Sequence, residues 1–148
     1  MAKMIKRMDP SDLQRKVGNR DERVSDTQKI VISLKYFDSN QPKKDKQTYD
    51  SWQKDKRLSV LMERMEGLCN CSIKEAIQKD LIKKYPTFPP SEKTEFKCPT
   101  KFKDNPWFVI KRIAGQKARA AGVMVGNIFY IVFFDRYHRF WISKKKNT

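Results

Sequence analysis

Apolar and polar residues alternate first in the stretch where Ile30, Ile32, Leu34 and Tyr36 interleave with Val31, Ser33, Lys35 and Phe37, and this period of two predicts a strand. A polar loop with Pro42 follows, and near Asp50 the period lengthens. Leu58, Leu61, Met62, Met65 and Leu68 recur at i, i+3, i+4, i+7 and i+10, the apolar stripe of a helix that opens at Asp50 with Gln53 as capping partner. Ser72 with Glu75 forms a second capping box before a stripe of Ile73, Ala76, Ile77 and Leu81, and Pro86, Pro89 and Pro90 stop that second helix. Residues 86–106 hold five of the seven prolines without periodicity and predict a long surface connection. After Pro106 the period returns to two, predicting strands at 107–113, 117–125, 128–134 and 138–142. Their links are Ala114-Gly115-Gln116, the hairpin pair Gly126-Asn127 and a turn at Asp135–His138.

The expected fold is α+β: an N-terminal strand, two helices, then a four-stranded antiparallel meander. At 148 residues the chain suits one domain, over 28–142, with the Pro-rich insertion inside it. A basic flexible tail is expected at 1–27 and a basic C-terminal tail at 143–148.

The hairpin turns fix an expected register. Val125 pairs with Ile128, Val123 with Tyr130, Arg119 with Phe134, and Lys111 with Arg119. One face then carries Phe108, Ile110, Ala118, Ala120, Gly122, Met124, Phe129, Ile131, Phe133, Phe140 and Ile142, the expected core. The other presents Trp107, Val109, Lys111, Lys117, Arg119, Tyr130, Phe134, Arg139 and Trp141.

Charge changes what that second face means. The chain carries 33 Lys and Arg against 17 Asp and Glu, a formal net charge of +16, and half of that excess lies in residues 107–148, where Asp135 is the lone acid. Cations gathered on a sheet face call for an anion. Aromatic side chains beside them offer surfaces on which unstacked bases can lie, which points to RNA as partner.

Other classes fall away. Cys69, Cys71 and Cys98 are odd in number, and with His138 as the only histidine they make a poor zinc set, so reduced cytoplasmic thiols are expected and neither metal nor cofactor is called for. The longest apolar run, 127–134, is too short for a membrane helix. The sequence offers no Gly-rich phosphate loop, paired carboxylates or Ser/His/Asp set.

The stretches W-F-V-I-K-R-I-A-G-Q-K-A-R (107–119), G-N-I-F-Y-I-V-F-F-D (126–135) and R-Y-H-R-F-W (136–141), with the order of elements, resemble the RelE/ParE toxin superfamily over about residues 28–142. That resemblance implies a RelE-like fold and an mRNA interferase, a toxin-type hydrolase of a toxin–antitoxin pair. It would cleave RNA, ribosome-bound mRNA included, without a metal, and its partner would be a cognate antitoxin. Carried over, Arg119 resembles the transition-state arginine, Lys111 and Lys117 the lysines before it, and Tyr137-His138 the C-terminal acid/base. Unlike compact members, this chain has a 27-residue basic front and the Pro-rich insertion.

The expected chemistry is attack of a 2′-OH on the adjacent phosphorus. His138, with a reference pKa of about 6.5, takes the proton, and neighbouring cations should depress that value. Arg119 with Arg136 or Arg139 holds the phosphorane oxygens, and Tyr137 is an alternative proton donor. Lys111, Lys117, Arg139, Trp107, Tyr130 and Trp141 form the expected RNA-binding set. Two other readings use the same surface: a non-catalytic nucleic-acid-binding protein, and a toxin or defence factor that acts on a protein.

Overall fold

The computed structural model describes residues 27–113, 115 and 117–142. Residues 1–26 of the expected tail at 1–27, the expected tail at 143–148 and two residues of the 114–116 turn lie outside the described residues. The chain is α+β. Strand β1 (Val31–Ser33) leads into helices α1 (Tyr49–Lys54), α2 (Arg57–Cys69) and α3 (Ile73–Gln78), followed by β2 (Ile82–Tyr85), β3 (Trp107–Ile110), β4 (Arg119–Val125) and β5 (Ile128–Asp135). The five strands lie in the order β1-β5-β4-β3-β2, with β1 parallel to β5 and every other pair antiparallel.

The helical region is more divided than its periodicity suggests. Thr48, not Asp50, caps α1 in a box with Ser51, and Lys56 at φ 62° breaks the expected first helix in two. Within α2, Leu61 and Leu68 are buried while Met62, also on the sequence stripe, is exposed. The Ser72/Glu75 box opens α3 as read. That helix ends at Gln78, however, and after Asp80 at φ 60° the chain turns into β2. Pairing of Ile82–Tyr85 with Ile110–Trp107 outweighs the helical spacing of Leu81, and Pro86 ends a strand rather than a helix.

Both faces of the sheet are covered. On one, Phe108, Ile110, Ala120, Met124, Phe129 and Ile131 pack with Trp52, Leu61, Leu68 and Ala76 of the helices. On the other, Trp107, Val109, Ala121, Val123, Val132 and Phe133 pack under Phe96, Phe102 and Phe140. The Pro-rich segment is therefore the lid of a second core, not a surface connection. All four residues of β3 are buried, as in a strand with no solvent side.

The expected register holds from Val125–Ile128 through Gly122–Ile131, then slips. Gly122 pairs with Ile131 and Ala121 with Phe133, leaving Val132 as the extra residue of a bulge. A Cβ on Gly122 would stand 1.9 Å from the Tyr130 carbonyl oxygen, so this position admits only glycine without a backbone shift. The bulge moves Phe133 to the second core and sets Arg119 opposite Asp135 rather than Phe134.

The expected fourth meander strand, 138–142, does not pair with β5. The Glu95 N–H donates to the Arg139 carbonyl (3.1 Å) and the Ile142 N–H to the Lys93 carbonyl (2.7 Å), joining this segment to the Pro-rich lid.

Candidate functional site

The end of β5 and the turn after it are built around one carboxylate. Asp135 is buried, and its two oxygens accept the backbone N–H groups of Arg139 and Phe140, each at 2.8 Å. These bonds close residues 135–140 into a tight loop in which His138 takes a left-handed conformation, φ 61°. Such a φ is uncommon for a residue other than glycine and marks a position held by its surroundings.

The same neighbourhood shifts two proton equilibria. Burial pushes Asp135 up to about 6, against the pull of the Arg139 and Phe140 N–H groups and of Arg119. Burial, then the Arg119 charge, holds His138 below its ordinary 6.5, which leaves the imidazole neutral at physiological pH. Arg119 thus acts on both groups.

Acids from distant parts of the chain fasten the flanking cations. Arg136 pairs with Asp55, which also holds Arg57 at 3.1 Å, and its N–H donates to the Gln47 side chain at 3.2 Å. Gln47 is buried and accepts the Trp52 indole N–H at 2.8 Å, so the turn is tied to α1. Arg139 pairs with Glu95 of the lid at 3.2 Å. Arg136 and Arg139 therefore anchor the catalytic turn expected from sequence, one on each side. Tyr137 between them is exposed, with the Arg136 guanidinium 5.1 Å from its ring centre.

Not all of the expected residues gather here. Arg119, Arg136, Tyr137, His138 and Arg139 come together, whereas Lys111 pairs with Asp80, which also holds Arg112 at 2.9 Å. Lys117 is exposed, two residues before β4. The expected aromatic platform is covered. Trp107 is 0 % exposed and stacks on Phe133, Trp141 is half-buried and stacks on Tyr85 at 4.5 Å, and Tyr130 is half-buried against Tyr36. The basic sheet face expected from alternation is the second core, because the Pro-rich lid supplies the apolar cover that alternation alone could not foresee.

Two adjoining clefts open beside the turn. One, of about 400 Å³, is lined by Asp135, Tyr137 and Arg139 with Asp45, Gln47 and Glu95. The other, of about 430 Å³, is lined by Gln41, Lys43 and Lys97, and the two share Pro42, Lys44 and Glu95. Among the described residues no group of three or more His, Cys, Asp or Glu is arranged to hold a metal ion, and no helix is long and apolar enough to cross a membrane.

Sequence reasoning missed Asp135 as the organiser of the site, and with it Asp55, Glu95 and Gln47. For Asp135 a signal existed: an Asp opening a polar turn commonly accepts backbone N–H groups further along it. For the others the pairing is long-range and leaves no local mark.

Comparison with protein-family models, curated proteins and solved structures finds no match to this chain.

Proposed function

We propose that the protein binds RNA and cleaves it as a toxin-type, metal-independent endoribonuclease, the activity its RelE/ParE resemblance implies. The observation that carries this reading is the action of Arg119 on both His138 and Asp135 at one fixed turn. His138, neutral at physiological pH, takes the proton from a 2′-OH, whose oxygen then attacks the adjacent phosphorus. Arg119 stabilises the added negative charge on the phosphorane. The P–O5′ bond breaks, and the leaving oxygen takes a proton from the exposed Tyr137 hydroxyl or from water. The products are a 2′,3′-cyclic phosphate and a 5′-OH. Asp135 stays out of the proton traffic as a positioning residue, because both its oxygens are engaged by backbone N–H groups.

Ribosome-bound mRNA is one form of this substrate, and a cognate antitoxin protein is the partner that would hold the activity in check. Both are read by expressing the protein with and without its neighbouring gene and following growth and mRNA integrity. The decisive experiment uses purified protein and end-labelled RNA, free and ribosome-bound, in EDTA. Cleavage leaving cyclic phosphate ends, and lost in Arg119→Ala, supports the proposal; intact RNA of both forms overturns it.

A second reading, RNA binding without cleavage, is favoured by the ion pairs of Arg136 and Arg139, which already engage two of the cations expected to hold the phosphorane. The same experiment separates the two when RNA retention is measured beside cleavage.

A further inference from the structure

We infer that the paired clefts form one groove that receives a single strand of RNA, with its backbone held at the outer end by Lys43, Lys44 and Lys97. This inference rests on the RNA reading above and adds to it the path and strandedness of the substrate.

The groove is continuous, since both clefts are bounded by Pro42, Lys44 and Glu95. Its inner end reaches Tyr137 and Arg139, the two neighbours of His138. A strand lying along it therefore leads to the turn proposed to carry the chemistry.

The walls are fixed in place rather than left to solvent. The Gln41 side-chain oxygen accepts the Lys97 N–H at 2.6 Å, and its amide donates back to the Lys97 carbonyl at 3.3 Å. Those two bonds tie the loop after β1 to the Pro-rich lid. The Asp45 N–H donates to the Pro42 carbonyl at 3.0 Å, and the Gln47 amide donates to the Asp45 carbonyl at 2.9 Å, closing the loop on itself. Lys43, Lys44 and Lys97 are thus carried on a bonded frame, which lowers the entropy lost when an extended ligand binds.

Charge gives the groove a direction. At the outer end the three lysines are exposed and have no ion pair among the described residues, while the one acid, Glu95, is matched by Arg139. The inner end carries Asp45 and the buried Asp135 with Arg139. The three lysines make the outer end the strongest holder of phosphates, so it suits the backbone that leads to the turn. The inner end, with the exposed Asp45 carboxylate and Tyr137 hydroxyl, suits the donor groups of bases and ribose. A cleft of about 400 Å³ admits a nucleotide-sized group, whereas an intact duplex is far wider than such a cleft.

The test is binding of a fluorescent 12-nucleotide single-stranded RNA, made with 2′-O-methyl groups to block cleavage, by the purified full-length protein across a salt series. The Lys43→Ala/Lys97→Ala double variant should weaken binding about 10–30-fold at 0.1 M salt and reduce the log–log slope by ~0.7 per lysine, the single-strand increment. Removing the same charge at Lys74 and Lys79 of the α3 region should change affinity less than threefold, and the matching duplex should bind at least tenfold more weakly. Wild type that binds the strand with no more loss in the groove variant than in the control overturns the groove and leaves the RNA reading standing. Wild type that binds no RNA overturns both. Groove-dependent binding of a protein that cuts no RNA keeps the groove and removes the nuclease.

Discussion

Arg119 faces Asp135 directly across the β4–β5 ladder, three pairs beyond the bulge at Val132. Without the extra residue Arg119 would oppose Phe134, and the carboxylate that organises the following turn would lose the arginine paired across the ladder from it. The bulge requires Gly122, the turn requires Asp135, and the neutral imidazole of His138 owes its state to burial and to Arg119.

The raised pKa of Asp135 has a definite consequence for stability. Between pH 4 and 6 the native state keeps a proton that the unfolded chain releases, so this group's contribution to stability falls as pH rises through that window. A displacement from 3.8 to about 6 corresponds to about 3 kcal/mol at ~1.4 kcal/mol per pH unit. Asp135→Asn removes the titration. Urea unfolding at pH 4, 5, 6 and 7 should show the variant gaining on the wild type by roughly that amount across the window. Parallel stability curves would mean that Asp135 ionises as freely in the fold as in the unfolded chain.

His138 is the only histidine, so its proton resonances can be followed without assignment by mutation. Its titration midpoint in the folded protein should lie below 6.5, and Arg119→Ala should raise it without fully restoring it, because burial is the larger cause. A midpoint above 6.5 in wild type would indicate a carboxylate partner stronger than the arginine and would remove His138 as a neutral base.

Local signals in the sequence located much of this architecture. The Ser72/Glu75 box and the Gly126-Asn127 turn act over two to four residues and stand where the sequence puts them. The core side of β4 and β5 was legible up to Gly122, where alternation and register agree. Beyond it the bulge inverted the faces of Phe133 and Phe134, and no periodicity announces a single unpaired residue. The site divides in the same way. Cations and the histidine cluster in the last third of the chain and are visible as composition, whereas Asp55, Asp80 and Glu95 arrive by tertiary pairing and turn most of an apparently unbalanced basic patch into ion pairs.

Gly122→Ala tests the bulge. The added Cβ would overlap the Tyr130 backbone and approach the Phe129 ring at 2.9 Å, and neither the strand nor a fully buried phenylalanine can withdraw easily. Thermal or urea unfolding should show a loss at or above the top of the ~1–3 kcal/mol range for overpacking. A neutral substitution would require β4 and β5 to separate there, which hydrogen exchange at Gly122 and Ile131 would reveal.

The catalytic proposal divides the basic residues into two classes with different kinetic signatures. Arg119→Ala should lower the RNA cleavage rate by about 10²–10³, the scale for losing one preorganised charge-stabilising donor, with little change in affinity. Lys111→Ala should change neither, because Asp80 already neutralises that charge, whereas Lys117→Ala should reduce the salt slope of single-strand binding by ~0.7. For His138 the informative variant is His138→Asn, since asparagine tolerates the left-handed backbone at φ 61° and cannot serve as a base near neutrality. It should keep wild-type stability, lower the rate by ~10²–10⁴ and abolish the acidic limb of the pH–rate profile, which in wild type falls below the depressed His138 pKa. A folded His138→Asn protein with the wild-type rate and profile would transfer proton abstraction to Tyr137 or to solvent, leaving Arg119 as the side chain on which the nuclease reading stands.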